Sequence, residues 1–600
     1  MDDILSDRSV VEQLRAAVQQ LSERGLLAAS KWASELLLSI PQERRDNPSD
    51  APLLSQPTDP LQAKILERHP HAPRMPSIPE AQLQAERSLE LSEADMYAAA
   101  LACFNTRDFS RAGHKLIGCM SAKSVFLRVY SDFLASEKAA ERDWHRLNGT
   151  RDQPHSPVNE NLTELLQHVV NAQDCFLLFL KAIFLSRLSH REGAIEACLL
   201  SIAGQPWNWS AWELLGTLLG DPDELSSLLP LLPLPPTHPI VQMFQIKTLN
   251  EIHQPSEHEL KLCEMLLSPG MFPHSAWIMS GRACVLYHMH DFQEAERQFD
   301  AVLAIDPYRV DNIDVYSNIL YVTDSRLKLS KFAHEFLGRD RDRPEICCLV
   351  GNHYSLRADH EKAIKYFRRA IQLDRTYLAA WTLMGHEYVE LKNAHAAIDS
   401  YRRAVDVSKK DYRAWYGLGQ AYELLNMHQY ALYYYQRATA LRPYDIRLWQ
   451  AHAACYQELG RPREAIDCLK RALLSADENE INIHYKLAEL YFAIEEPGEA
   501  VAYHQRVCEV CFMQERPAQE YAKSAIQVAV YNMSIPSGDL EKARVYLERI
   551  ASSNAEEVAK ATELLKSLHA MLAAKPPVTP AGANSVGLPS IHVEQGPPQH

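Results

Sequence analysis

The chain has 600 residues, 46% of them hydrophobic and 23% charged, several times the length of a single-core domain and too apolar for wholesale disorder, so it is multidomain or built by repetition. Its formal net charge of −15 argues against a surface that tracks nucleic-acid phosphates, which needs clustered Lys and Arg in excess, and leaves proteins as the expected partners. Twelve cysteines, mostly scattered singly, fit reduced buried thiols better than a disulfide framework, and 21 glycines disfavour sheet-and-turn architectures and glycine-rich phosphate loops.

The opening Met1-Asp-Asp-Ile4 carries no basic stretch followed by an apolar one, so neither a secretory signal nor a transit peptide is expected, and the chain reads as intracellular. Residues 1–40 read as an N-terminal helical repeat region and 41–90 as a proline-rich linker. Nine prolines fall between 41 and 80, with Pro70, Pro73, Pro76 and Pro79 among them. Residues 91–270 read as a first, degenerate helical array, with a polar loop at 144–160 containing Asn148-Gly149 and Pro154. Its most apolar run, Cys175 to Leu185, is about half a bilayer span and carries Lys181, and the stretch from Leu228 to Pro236 is broken by prolines, so no membrane helix is expected.

Residues 271–475 hold a regular 34-residue repeat. A small residue recurs at Ala283, Ser317, Gly351, Gly385, Gly419 and Ala453, and twelve residues further on stand Ala295, Leu329, Ala363, Ala397, Ala431 and Ala465. Trp381, Trp415 and Trp449 come four before the small residue, and Tyr354, Tyr388, Tyr422 and Tyr456 three after it. Phe367, Tyr401, Tyr435 and Leu469 each precede a further alanine by three. Two antiparallel helices approach closely where a small residue admits an aromatic from the partner, and each pair hides its apolar face by stacking on the next. Pro307 and Pro443 stand where the second helix must stop. This is the tetratricopeptide pattern, and it predicts an all-α superhelix of about 12 to 14 helix-turn-helix repeats. Ala182 and Gly216 keep the same step upstream, while Ala100, Ala112 and Leu116 suggest another unit. Beyond Ala472 the register slips by one, to Leu487-Ala488, Tyr491 and Ala500, so 476–575 reads as degenerate repeats and 576–600 as a disordered tail.

No metal, cofactor or catalytic constellation emerges. Cys508-Glu-Val-Cys511 has the spacing of half a zinc site without a second half, and reads as two buried thiols on one helix face. His288-Met-His290 lacks a third ligand and reads as a loop-edge pair; Gly417-Leu-Gly419 follows no strand, and Gly419 is explained by its register. No hydrolase, Walker-type or kinase motif occurs, so the chain is not expected to be an enzyme.

The informative residues are those the repeat places on its inner wall, one and four positions after the small residue. They are Asn352 and Ser355, His386 and Val389, Gln420 and Glu423, then Ala454 and Gln457. Such a polar row suits an extended peptide, with Glu387 and Glu423 available to an Arg or Lys side chain.

Three runs carry a closer likeness: Cys347 to Arg357, Ala380 to Tyr388 with Met384 and His386, and Asp411 to Tyr422. Together with Tyr433 to Tyr435 and Leu441-Arg-Pro443 they resemble the subunit-eight family of the anaphase-promoting complex over roughly 345–460. A weaker likeness in Glu23-Arg-Gly-Leu-Leu27 and Ser30 to Leu36, with the matching order of repeats, extends it over most of the chain. The resemblance implies a non-catalytic scaffold subunit of a cullin–RING ubiquitin ligase that drives mitotic exit, found in the nucleus and cytoplasm. It implies homodimerisation through the amino-terminal repeats and contact with sister tetratricopeptide subunits and small accessory subunits. It further implies a carboxy-terminal groove that takes an Arg-containing box of the coactivator through Asn352 and Glu387. Neither cofactor, nucleic acid nor membrane is implied.

A free-standing co-chaperone or adaptor that captures acidic peptide termini is the alternative, but it needs Lys and Arg on the inner wall, and the row here favours a basic or neutral ligand. A glycosyltransferase fused to such repeats would require an α/β domain for which 575–600 leaves no room. Ser156-Pro157, Ser268-Pro269 and Thr579-Pro580 are possible sites for a proline-directed kinase.

Overall fold

The computed structural model describes residues 7–46, 80–146, 157–252, 256–476, 480–535, 538–553 and 556–574. Among these residues the regular structure is helical, with one 3-10 turn at Leu229–Leu231 and no strand. The chain divides into two compact units, Met1–Arg442 and Pro443–His600. The regular array expected over 271–475 is therefore shared between them.

The expected hairpins form. Ala276–His288 pairs with Phe292–Ile305, Ile313–Val322 with Arg326–Arg339, Pro344–Leu356 with His360–Leu373, Leu378–Glu390 with Ala394–Val407, and Tyr412–Leu424 with His428–Leu441. Their small residues do what the periodicity demands. A Cβ added to Gly385 would stand 2.5 Å from the Tyr401 ring, and one on Gly351 or Gly419 would enter the rings of Phe367 and Tyr435. Gly417 belongs to the same device, because a Cβ there would strike Tyr401 from the next hairpin. Tyr401 thus lies between two glycines of successive hairpins with no exposed surface.

Two further devices recur with the repeat. Trp212, Trp381 and Trp415 each donate the indole N–H to the carbonyl oxygen six residues earlier, on Pro206, Arg375 and Lys409, at 2.8, 2.9 and 3.0 Å. This ties each first helix to the turn before it. The turn between the two helices places one residue in the left-handed region: Asp324, Ala358, Lys392 and Asn426, each 34 after the last, have φ of 51°, 59°, 56° and 55°. The backbone N–H of the next residue then caps the first helix, as Asp359 does to Tyr354 O at 3.0 Å. Asp359 and Asn393 in turn cap the second helix through their side chains.

The N-terminal hairpin Asp7–Glu23 and Leu27–Leu38 does not stand apart from the array. Its apolar face joins one core with residues 126–285. Trp32 stacks on Trp209 at 4.5 Å and meets Trp277 edge-on at 6.0 Å, and Trp209 meets Trp277 at 5.0 Å. The hairpin turns at Gly25, φ 74°, where a Cβ would collide with Phe104. Arg44 donates to Gly270 O at 2.8 Å, and buried Arg309 pairs with Glu35 at 3.3 Å.

Both ends of the proline-rich linker expected at 41–90 are helical. Gln42–Arg45 is helical, and the helix Glu80–Asn105 begins at the last proline. Glu86 and Glu93 hold that helix in place by accepting the backbone N–H of Ala122 and Met120, at 2.5 and 2.6 Å. Residues 47–79 lie outside the described residues. Of the loop expected at 144–160, residues 144–146 belong to the helix Ala122–Arg146, and 147–156 lie outside the described residues. Trp144 is buried, and the Arg375 guanidinium lies over its ring at 4.3 Å.

That contact joins hairpins far apart in sequence, and others do the same within Met1–Arg442. Lys410 Nζ donates to Leu219 O, and to Thr217 O at 3.2 Å, and Arg442 donates to His288 O at 3.5 Å.

In Pro443–His600 the hairpins Ile446–Glu458 with Pro462–Leu473, Ile481–Ala493 with Pro497–Met513, and Ala518–Ser534 with Leu540–Ala551 precede a last helix, Val558–Ala574. The shifted register holds: Leu487, Ala488 and Ala500 are fully buried. Cys508 and Cys511 lie in one apolar core with Val507, Ala525 and Leu547, and burial pushes both thiols up. The tail from residue 575 lies outside the described residues.

This unit is expected to lose stability in mild acid. His504 is 3% exposed and pairs with the Ser524 hydroxyl at 3.0 Å, and His452 is buried between Trp449 and Tyr456; burial depresses both to about 4. Between about pH 6.5 and 4 the unfolded chain binds protons that the folded one refuses, so stability present above 6.5 is lost as pH falls toward 4. Denaturant midpoints of residues 443–600 within the full chain, followed by hydrogen exchange, should fall over that range. His504→Gln should flatten the fall, and an unchanged slope would contradict the assignment.

Candidate peptide-binding groove

The row expected on the inner wall resolves into two kinds of residue. Asn352, Ser355 and Glu387 come together. Asn352 and Ser355 sit one turn apart on Pro344–Leu356, at a spacing that shares a face, and Ser355 donates to Glu387 Oε1 at 2.6 Å across to the next hairpin. Asn352 points its amide nitrogen backward, donating to Ser317 Oγ and Asn318 Oδ1, both at 2.7 Å. All three are buried, at 3%, 7% and 5% exposure.

His386, Gln420 and Glu423 engage their own hairpins instead. His386 Nδ1 meets the Tyr401 hydroxyl at 2.8 Å, and burial, with Arg413 nearby, depresses its pKa to about 4, so it is neutral at pH 7. Gln420 donates to Tyr416 Oη at 3.2 Å, and Glu423 accepts from the Tyr435 hydroxyl at 2.8 Å. No hydrogen bond among the described residues joins them to the Asn352 cluster.

The sequence reading missed the partners that orient this cluster. Ser317 carried its own signal, since it occupies the small-residue register with a hydroxyl where other repeats have Gly or Ala. His360 carried none. It opens the second helix of its hairpin, and its Nδ1 lies 2.8 Å from Glu387 Oε2.

The electrostatic character of the cluster follows from this bonding. Both amide hydrogens of Asn352 are engaged within the protein, which leaves Oδ1 as the group it can offer. Each Glu387 oxygen holds one donor and keeps further lone-pair capacity. The cluster is therefore a set of acceptors, chemically matched to a guanidinium, which has donors alone.

Among the described residues no group of three or more His, Cys, Asp and Glu is arranged to hold a metal ion, and no helix is long and apolar enough to cross a membrane. His288 ends its helix and His290 forms the left-handed turn at φ 66°. Of the three Ser/Thr-Pro sites only Ser268 is described; it is half-buried, and the carbonyl of Pro269 accepts from Arg44 at 3.2 Å.

Hairpins of this register, aromatic-on-glycine packing and a polar inner row define a tetratricopeptide-repeat solenoid protein. Tetratricopeptide-repeat models match residues 344–377, 382–446 and 445–511, and the model of anaphase promoting complex subunit 8 / Cdc23 matches residues 9–283. The Saccharomyces cerevisiae anaphase-promoting complex subunit CDC23 is 32% identical over 94% of this chain and 98% of its own length. The Arabidopsis thaliana anaphase-promoting complex subunit 8 is 34% identical over 62% of this chain and 64% of its own. The human cell division cycle protein 23 homolog is 36% identical over 54% and 49%. The match thus spans about two thirds of the plant relative and half of the human one. The crystal structure of the APC/C hetero-tetramer Cut9-Hcn1 shares the fold, with a TM-score of 0.51 at 17% identity over 84% of this chain and 95% of that one. This chain belongs to the anaphase-promoting complex subunit 8 / Cdc23 family.

Proposed function

We propose that this chain is a non-catalytic scaffold subunit of the anaphase-promoting complex ubiquitin ligase, working in the nucleus and cytoplasm during mitotic progression. It homodimerises through its amino-terminal repeats, packs against sister tetratricopeptide subunits and small accessory subunits, and docks the Arg-containing box of a coactivator in the groove of Asn352, Ser355 and Glu387. The observation that carries the docking step is the acceptor-only character of that cluster, with Glu387 buried at 5% exposure beside Asn352, whose amide hydrogens are already engaged. Family membership supports the scaffold role. Large exposed apolar side chains at Leu91, Ile117 and Met120 support an interface in the amino-terminal array. The co-chaperone alternative gains no support, because the cluster offers no cation to a peptide carboxylate.

The test is binding of a coactivator-derived peptide, with its box Arg intact or replaced by Ala, to the purified full chain and to Asn352→Ala and Glu387→Ala. Wild type is expected to bind the Arg peptide alone. Glu387→Ala should lose about a hundredfold in affinity, the order of an Arg–carboxylate contact of ~3 kcal/mol, with helicity unchanged. Binding that survives both substitutions would move the coactivator elsewhere.

A further inference from the structure

We infer that His360 is a positioning residue that sets Glu387 for a guanidinium and makes the groove select Arg over Lys. The inference rests on the docking role proposed above and adds its specificity.

The geometry is that of a carboxylate fixed from two sides by two different helices. Ser355, on Pro344–Leu356, donates its hydroxyl to Oε1 at 2.6 Å. His360, the first residue of His360–Leu373, lies with Nδ1 2.8 Å from Oε2. A carboxylate oxygen only accepts, so the tautomer of His360 that makes this bond is the one with the hydrogen on Nδ1. The Glu387 side chain is 7% exposed and that of His360 26%, so the imidazole is the more open of the two and the carboxylate the more covered.

Two bonds of this kind remove the rotational freedom of the terminal carboxylate torsion, which is otherwise broad. They also leave one unfilled acceptor direction on each oxygen. A planar guanidinium fills two such directions at once with parallel N–H bonds, whereas an ammonium is a point donor that satisfies one oxygen and leaves the other with desolvated capacity. Without His360, Oε2 gains a free direction and the carboxylate rotates about the Ser355 bond. It then serves Lys as well as it serves Arg.

The two residues are 27 apart in sequence on different helices, and no repeat rule places a histidine there. The Ser355–Glu387–His360 chain also bridges two hairpins, so a purely structural staple is the rival explanation. A staple would change stability and leave ligand preference alone.

The experiment measures affinities of three versions of the coactivator-derived peptide, with Arg, Lys or Ala at the box position, for the full chain. The chain is wild type, His360→Phe, which keeps ring volume and removes the donor, or His360→Asn, whose Nδ2 stands near the place of Nδ1. Wild type is expected to prefer Arg over Lys by at least about tenfold, the order of one hydrogen bond to a charged group. His360→Phe should lose most of that preference, weakening Arg about tenfold and Lys little, and His360→Asn should restore it. A preference unchanged in His360→Phe, whatever its melting temperature, overturns the inference while leaving the groove intact. Failure of wild type to bind the Arg peptide overturns both.

Discussion

Tyr401→Ala is expected to destabilise the unit Met1–Arg442 by about 3–5 kcal/mol, the cost of emptying a large aromatic site that cannot fully collapse. Collapse is limited because Gly385 and Gly417, where an added Cβ would strike the ring, have no side chains to move into the space. Tyr401→Phe separates the contributions. It keeps the ring and removes the hydroxyl bond to His386, and should cost about 1 kcal/mol. Denaturant unfolding followed by circular dichroism gives both values. Equal losses for Phe and Ala would show that the hydroxyl, rather than the packed ring, holds the site. The converse substitution, Gly417→Ala, pushes a methyl into the same ring.

Trp32→Ala should release the N-terminal hairpin from the array at a comparable cost, about 3–5 kcal/mol. Trp32 is 6% exposed and stands where three indoles meet, in the core that the hairpin shares with residues 126–285. The ion pair of Arg309 with half-exposed Glu35 and the exposed bond from Arg44 to Gly270 would remain, but two polar contacts hold little without the apolar core beside them. Hydrogen exchange over Asp7–Leu38 is the direct readout. Protection of those helices should fall in the variant while that of Pro344–Leu441 stays as it was. Unchanged protection of the hairpin would show that the tryptophans only fill space.

The regular array was legible because each of its signals lies within one 34-residue unit: a glycine and the aromatic sixteen residues after it are neighbours in sequence as well as in space. Gly351 with Phe367 and Gly419 with Tyr435 could be paired from the sequence alone. The left-handed turns could not. Asp324, Ala358, Lys392 and Asn426 share a backbone conformation and no common side-chain chemistry. The N-terminal hairpin was placed as a helical region, but its seat against Trp209 and Trp277 joins residues about 180 to 245 apart, a separation that periodicity does not span.

The groove divides the same way. Asn352 and Ser355 follow from helical spacing. Glu387, one position past the ideal, is brought into the cluster by Ser355 and His360 from neighbouring helices. His386, Gln420 and Glu423 obey the spacing and yet turn toward tyrosines of their own hairpins, because each has a hydroxyl within reach. The residues quoted for the family likeness fall mostly within 345–460, whereas the family-specific match lies at 9–283, where the repeats are most degenerate. Regular repeats report the shared scaffold, and irregular ones distinguish one family of scaffolds from another.

An open coil yields to a pull by changing its pitch, as a spring does, and its stiffness is that of one thin hairpin stack. The contacts of Arg375 with Trp144, Lys410 with Thr217 and Leu219, and Arg442 with His288 fasten coils that are 154 to 231 residues apart in sequence. Pulling on Met1–Arg442 is expected to meet these bonds before it bends the stack, so that the unit resists extension more than an unfastened one would. Cutting these fastenings one at a time would soften it without unfolding a single repeat.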